Sequence, residues 1–321
     1  LAFERQFDKT LPVHEKGTDF WGALNYGVFR NGKPGVVIGE NGWLFTNEEF
    51  IQYPGAKKQI QTKVDFIKQV KDILEAHNIK LVVALVPAKA RVYEDQLGTY
   101  KYPEYNRSNY QIFRKAMKDL GIPVTDIYWL MNEKKDEDFS LFLKTDTHWS
   151  LAGARMAARL VANTVNESYP NLLQNKSTYT VDFGELSAHD GDLLRYVPLG
   201  KWADKFDIEH DYIKKVIVEA SDAQKKEESA DDLFGDAAVP EVTLVGTSYS
   251  ANPKWAFADF LKENLGTEVL NAADEGMGPF ETMKKYLHND AFKKTPPKLL
   301  VWEIPERFLP VKYDLDIEGV K

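Results

Sequence analysis

Five short runs rich in apolar and β-branched residues constrain this chain more than any other feature: 79–86, 122–127, 242–246, 267–271 and 299–304. Their length and composition predict buried strands. Helical patterns lie between several of them, at 59–77, 106–120, 151–165, 253–265 and 279–292. In the first of these, Ile60, Val64, Ile67 and Leu74 recur near the helical period. Ser150 and the pair Asn252-Pro253 are suited to capping the third and fourth. Strands alternating with helices of this length imply a parallel sheet covered on both faces. Such sheets carry their chemistry outside the carboxyl ends of the strands.

At 321 residues the chain can bury a full core, and one α/β domain spanning 1–321 is expected. Residues 169–240 break the alternation and read as a polar insertion within that domain, with a solvated charge run at 222–232. Residues 1–50 are aromatic and Gly-rich and are expected to wrap the main body. The formal net charge of −8, with no basic stripe interleaved with aromatics, argues against a nucleic-acid partner. With no cysteine, disulfides, thiolate metal sites and a Cys nucleophile are excluded. No run approaches the ~18 apolar residues that span a bilayer. The chain begins at Leu1 rather than Met, so a removed N-terminal signal or anchor is expected.

Two segments carry the chemistry, Thr145-Asp146-Thr147-His148-Trp149 and Gly246-Thr247-Ser248-Tyr249-Ser250, and each is expected to end a strand and open a helix. Together they supply an acid, a base and a nucleophile. A serine hydroxyl is a poor nucleophile near neutrality and needs a base within hydrogen-bond reach. A histidine fits that task, and a carboxylate fixes its tautomer. In an extended segment side chains two apart point the same way, so Asp146 and His148 can face one pocket. The turn after the strand would also offer the backbone N–H groups around Ser248 to an oxyanion.

Each of these residues has a structural reading too. Asp146 could cap the helix starting near Ser150, His148 could be a satisfied buried histidine, and Ser248 could be an N-cap. All three being structural fits less well with their positions at strand–helix junctions. A metal set of Asp146, His148, His189 and Asp190 matches no standard zinc spacing, so neither metal nor cofactor is expected. Lys89, Arg91, Arg307 and Arg195 are candidate binding cations, each with a solvated surface charge or a structural ion pair as its plainer reading. Tyr249 and Trp149 flank Ser248 and His148 and could line the pocket or be core aromatics, Tyr249 being the better placed to line it.

These two segments also occur in order with Gly42-Trp43-Leu44-Phe45, the 86–93 run Val-Pro-Ala-Lys-Ala-Arg-Val-Tyr, Gly191-Asp192-Leu193 and the 302–307 run Trp-Glu-Ile-Pro-Glu-Arg. The set resembles the periplasmic alginate O-acetyltransferases, the AlgJ/AlgX family, over nearly the whole chain. The resemblance implies an SGNH hydrolase-like three-layer α/β/α sandwich with a central, mostly parallel sheet in permuted topology. It implies acetyl transfer through Ser248 to mannuronate hydroxyls of alginate, with His148 as base then acid and Asp146 as its orienting partner. It further implies a periplasmic protein held at the inner membrane by an N-terminal segment, and a membrane-bound partner that donates the acetyl group. Since the chain ends at Lys321, before any carbohydrate-binding module of the AlgX kind, the AlgJ side of the family is the better match. Two features depart from the wider SGNH pattern: the Asp–His pair precedes the serine, and one residue rather than two separates Asp146 from His148. A carbohydrate acetylesterase with the same triad and a non-catalytic polysaccharide-binding protein on the same fold are the competing readings.

Overall fold

The computed structural model describes residues 22–27, 32–135, 139–174, 176–199, 205–206, 208, 210–221 and 240–317. The charge run expected at 222–232 lies outside the described residues, as do 1–21. Near the start, strands β1 (Val36–Ile38) and β2 (Leu44–Thr46) form a small antiparallel pair. The central sheet has five parallel strands in the order β4 (Val124–Asp126), β3 (Lys80–Val86), β9 (Leu299–Pro305), β7 (Val242–Val245), β8 (Val269–Asn271). All seven residues of β9 and six of seven in β3 are buried, as expected for central strands with both faces covered.

Alternation along these strands divides the core in two. Val82, Ala84 and Val86 of β3 face one cluster, while Leu81, Val83 and Leu85 face the other. Over the first face pack helices α3 (Ile127–Lys134), α4 (Leu151–Ser168) and α5 (Phe257–Leu265). The second is covered by α1 (Ala56–Ala76), α2 (Asn109–Asp119) and α6 (Gly278–His288). Helix α4 presents Ala154, Ala157, Ala158 and Ala162 to its neighbours, and these short side chains let it pack closely. Ser150 caps it as expected, accepting from the N–H of Gly153.

Two expected helices are interrupted. After Asn252 comes only a one-turn 3-10 helix, Pro253–Trp255, capped by the Asn252 side chain. Ala256 then takes a left-handed conformation at φ 53°, which restarts the chain as α5. The 279–292 pattern likewise splits at Asn289, which turns extended and caps a short second helix, Asp290–Lys294.

Within 169–240, the described part is not simply a loop. Strands β5 (Tyr179–His189) and β6 (Asp211–Ala220) form an antiparallel hairpin, with His189 opposite Asp211 at one end. That end meets the main body at the loop carrying Asp146 and His148. Strand order reverses between β3 and β7, on either side of β9, and the crevice at their carboxyl ends is where α/β sheets bind ligands. Among the described residues no helix is long and apolar enough to cross a membrane.

Candidate active site

Ser248 begins the one-turn helix Ser248–Ala251, directly after β7. Close approach dictates the glycine before it: a Cβ on Gly246 would lie 2.5 Å from Oε2 of Glu303, at the carboxyl end of β9. That buried carboxyl accepts from the Thr247 N–H at 2.7 Å and from the hydroxyls of Thr247 and Ser250, each at 3.0 Å. The turn carrying Ser248 is thereby tied to the central strand.

The loop carrying Asp146 and His148 is built differently from the extended segment expected, and among the described residues no strand leads directly into it. It bends back on itself, with an isolated bridge between Phe142 and Trp149 closing its neck. Asp146 and His148 meet through this bend rather than by strand alternation: Asp146 Oδ1 accepts from the His148 N–H at 3.0 Å and lies 2.6 Å from its Nδ1. His148 Nε2 lies 2.7 Å from Ser248 Oγ. An ionised carboxylate can only accept, so Nδ1 carries the hydrogen and Nε2 is free to receive the serine proton. Burial alone would raise the Asp146 carboxyl, but hydrogen bonds and charge from His148, with a further bond from His189, hold it well below the usual carboxylate range.

The insertion supplies much of the scaffolding. Asp211 accepts from the N–H groups of Lys144 and Thr145 and from the Thr145 hydroxyl, at 2.6–2.8 Å. Asp192 takes both the N–H and hydroxyl of Thr147. A Cβ on Gly191 would meet the Thr145 carbonyl oxygen at 2.1 Å, so only glycine lets these two loops touch. Trp255 stacks on His148, with ring centroids 4.9 Å apart and planes 21° apart.

The candidate residues separate into two groups. Ser248, His148, Arg307 and Arg195 line one cleft of about 360 Å³, together with Asp192 and Glu48. Lys89, Arg91, Tyr249 and Trp149 do not line it. Lys89 is fully buried, its Nζ donating to the carbonyls of Leu44, Lys144 and Asp146, and burial lowers its pKa to about 8. Arg91 forms a buried pair with Glu306. Tyr249 is buried and bridges the two loops, its hydroxyl donating to the Thr147 carbonyl at 2.7 Å and accepting from Arg307 Nη1 at 3.1 Å. Trp149 is core, packed edge-on against Tyr249. A larger groove of about 1190 Å³ runs beside α4 and the hairpin and contains none of Ser248, His148 or Asp146.

The set weighed as a metal site does not assemble, since Asp190 instead pairs with exposed His210. Asp146, His148 and Asp192 do bring ligand-type atoms within 4.8 Å of one another. Those side chains are already engaged by Ser248, His189, Thr147 and each other, which makes the cluster a hydrogen-bonded network. Asp211, Trp255 and Glu303 had no role in the sequence reading. Glu303 sits in the quoted 302–307 run and Asp192 in the 191–193 run, and those motifs were the available signal.

This geometry can be set beside known proteins. A family model described as the SGNH hydrolase-like domain of the acetyltransferase AlgX matches residues 36–306. A probable alginate O-acetylase AlgJ of Pseudomonas aeruginosa is 40% identical over 318 residues, covering 98% of this chain and 80% of the relative. The chain belongs to this family. Its fold is that of the O-acetyltransferase domain of Pseudomonas putida AlgJ, with TM-score 0.78, 36% identity, and coverage of 88% of this chain and 95% of that one. Pseudomonas aeruginosa AlgX superposes with TM-score 0.67 at 25% identity, over 87% of this chain and 62% of that one. The permuted SGNH-like sandwich expected from the sequence is therefore the family's fold.

Burial pushes the carboxyls of Glu303 and Glu49 up to about 7, against N–H donors from Thr247 and from Ala90 and Lys89 respectively. Both hold protons in the folded chain where the unfolded chain, near 4.5, has lost them. Their contribution to stability is therefore greatest below 4.5 and falls as pH rises through about 7. Asp146 works the opposite way, its contribution being lost only as pH falls below 3.8. Glu303→Gln, neutral at every pH, is expected to flatten the decline of Tm between about pH 5 and 7.5. Scanning fluorimetry across that range, with the wild type alongside, checks it.

Proposed function

We propose that this chain is a serine O-acetyltransferase acting on alginate in the periplasm, with Ser248, His148 and Asp146 as its catalytic residues. The observation that carries this reading is the continuous relay from Asp146 to His148 to Ser248, with links of 2.6 and 2.7 Å, opening into the cleft. Ser248 Oγ attacks the acetyl carbonyl of the donor while His148 Nε2 takes the hydroxyl proton. The oxyanion is received by the backbone N–H of Ser248. Collapse breaks the bond to the leaving group, which takes the proton from His148, and acetyl-Ser248 remains. A mannuronate hydroxyl then gives its proton to His148 as it attacks, and Ser248 regains that proton when the acetyl group departs. The donor in this reading is presented by a membrane-bound partner of the acetylation machinery.

Arg195 and Arg307, the latter paired with Glu48 at 3.1 Å, are the cleft-wall cations that an anionic acceptor would meet. Arg307→Ala is expected to raise the acceptor KM by about tenfold, the weight of one charge-assisted hydrogen bond. Turnover of a small neutral ester should change only a few-fold. Steady-state kinetics with both substrates checks the difference.

The decisive test mixes the protein, an activated acetyl ester and oligomannuronate, and follows the sugar by mass spectrometry. Acetylated sugar, absent with Ser248→Ala, supports the transferase. Free acetate with unmodified sugar makes the protein an esterase, and no ester cleavage at all leaves a binding protein.

A further inference from the structure

Asp146 accepts from more than its catalytic partner. Oδ1 is taken by His148, through Nδ1–H and the main-chain N–H. Oδ2 lies 2.9 Å from Nε2 of His189 and 3.1 Å from the N–H of Asp192. Because the carboxylate can only accept, the His189 Nε2 must carry a hydrogen. His189 is buried at the end of β5, opposite Asp211. Trp255 packs edge-on against its ring at 5.5 Å while stacking on the ring of His148. One indole therefore sets the planes of two imidazoles that share one carboxylate.

We propose that His189 is a positioning residue of this site, holding Asp146 with one oxygen turned to His148 and drawing off part of its negative charge. This rests on the catalytic reading above and adds a second histidine that touches no reacting atom. A carboxylate that spends hydrogen-bonding capacity on His189 turns less of its charge toward His148 Nδ1–H. The same bond prevents the carboxylate from rotating away from Nδ1–H.

The other charged groups around this pair are accounted for. The Asp192 carboxylate is taken by Thr147, and Asp211 by Lys144 and Thr145. The Lys89 ammonium sits on the Asp146 carbonyl, and Asp190 pairs with His210. Arg195, Arg307 and Glu48 line the cleft. A His189 substitution alters none of these side chains, so a change in His148 basicity reports the lost bond.

The test compares His189→Leu, which removes the donor, with His189→Gln, which restores an N–H. With a small acetyl ester, the Leu variant is expected to lose about tenfold or more in kcat while KM stays within about threefold. The acid limb of its kcat/KM profile should move up by about half a pH unit or more, because Asp146 now holds more charge toward His148. The Gln variant should recover most of both. The same shift is read without turnover by NMR titration of the His148 ring, comparing Ser248→Ala with Ser248→Ala/His189→Leu. This second arm stands even if no acetyl transfer is found, and so separates the two readings. An unchanged titration, or equal losses in Leu and Gln with no shift, overturns the proposal. Should the Leu variant not fold, the wild-type ring-nitrogen spectrum decides. At neutral pH, Nε2–H at His189 is required, and an unprotonated Nε2 overturns the assignment.

Discussion

Replacing Ser248 by alanine is expected to lower acetyl-ester turnover by about three orders of magnitude or more, with no loss of fold. The side chain removed is small, and its structural work is slight. The turn around it is held by Glu303 through Thr247 and Ser250, and the helix that follows is capped by Thr247. His148→Ala should cost about as much, since the serine then has no base, and the double variant should be no worse than either single one. Asp146→Asn is the more discriminating change. It keeps the volume but sets an amide against Nδ1–H, so the imidazole is pushed toward the wrong tautomer. Asparagine also cannot accept four donors through one oxygen, and a modest drop in Tm should accompany its loss of rate. Turnover, Tm and covalent labelling of Ser248 by a sulfonyl fluoride, measured on all four proteins, check this set. A Ser248→Ala protein that keeps its rate would sink the catalytic assignment.

The sheet was legible because its strands bury both faces. Runs such as Leu81 to Val86 leave no polar residue to confuse the reading, and the helices beside them repeat at the helical period. The two interrupted helices were not legible. Nothing in the residue type announces that Ala256 would adopt a left-handed conformation, just after the Trp255 that stacks on His148. The 169–240 segment read as polar because its hairpin is largely exposed, as a two-stranded ribbon with one open face must be.

The candidate catalytic residues were visible for a different reason: the proposed chemistry requires particular residue types close together, as in Asp146-Thr147-His148 and Gly246-Thr247-Ser248. What supports them was hidden by sequence distance. His189 and Asp211 reach the loop of Thr145 and Asp146 across 43 and 66 residues, and no local pattern encodes such a contact. Two of the four candidate cations lie away from the cleft, because charge is also needed inside. Lys89 and Arg91 follow a strand end as a binding residue would, yet Lys89 Nζ spends its donors on buried carbonyls, and Arg91 on carbonyls and the Glu306 carboxylate.

Arg91 and Glu306 should accordingly govern stability and not substrate affinity. Glu306 is buried at the end of β9, and besides Arg91 it accepts from the Ala88 N–H at 3.1 Å and the Tyr102 hydroxyl at 3.2 Å. Arg91 donates in turn to the carbonyls of Asn106 and Arg107, with its guanidinium over the rings of Tyr102, Tyr110 and Tyr128. Removing one member strands the other charge in a low-dielectric setting, which costs about 3–5 kcal/mol. Glu306→Ala is therefore expected to lower Tm by on the order of 10 °C in a chain of this size. Arg91→Ala should do nearly the same, and the double replacement by apolar residues of similar volume should recover a large part of the loss, since no charge is then left unpaired. Acceptor KM should stay unchanged in every variant that folds, in contrast to Arg307→Ala. Thermal unfolding and acceptor kinetics on the three proteins test both halves. A raised acceptor KM in Arg91→Ala at unchanged Tm would return Arg91 to the binding site.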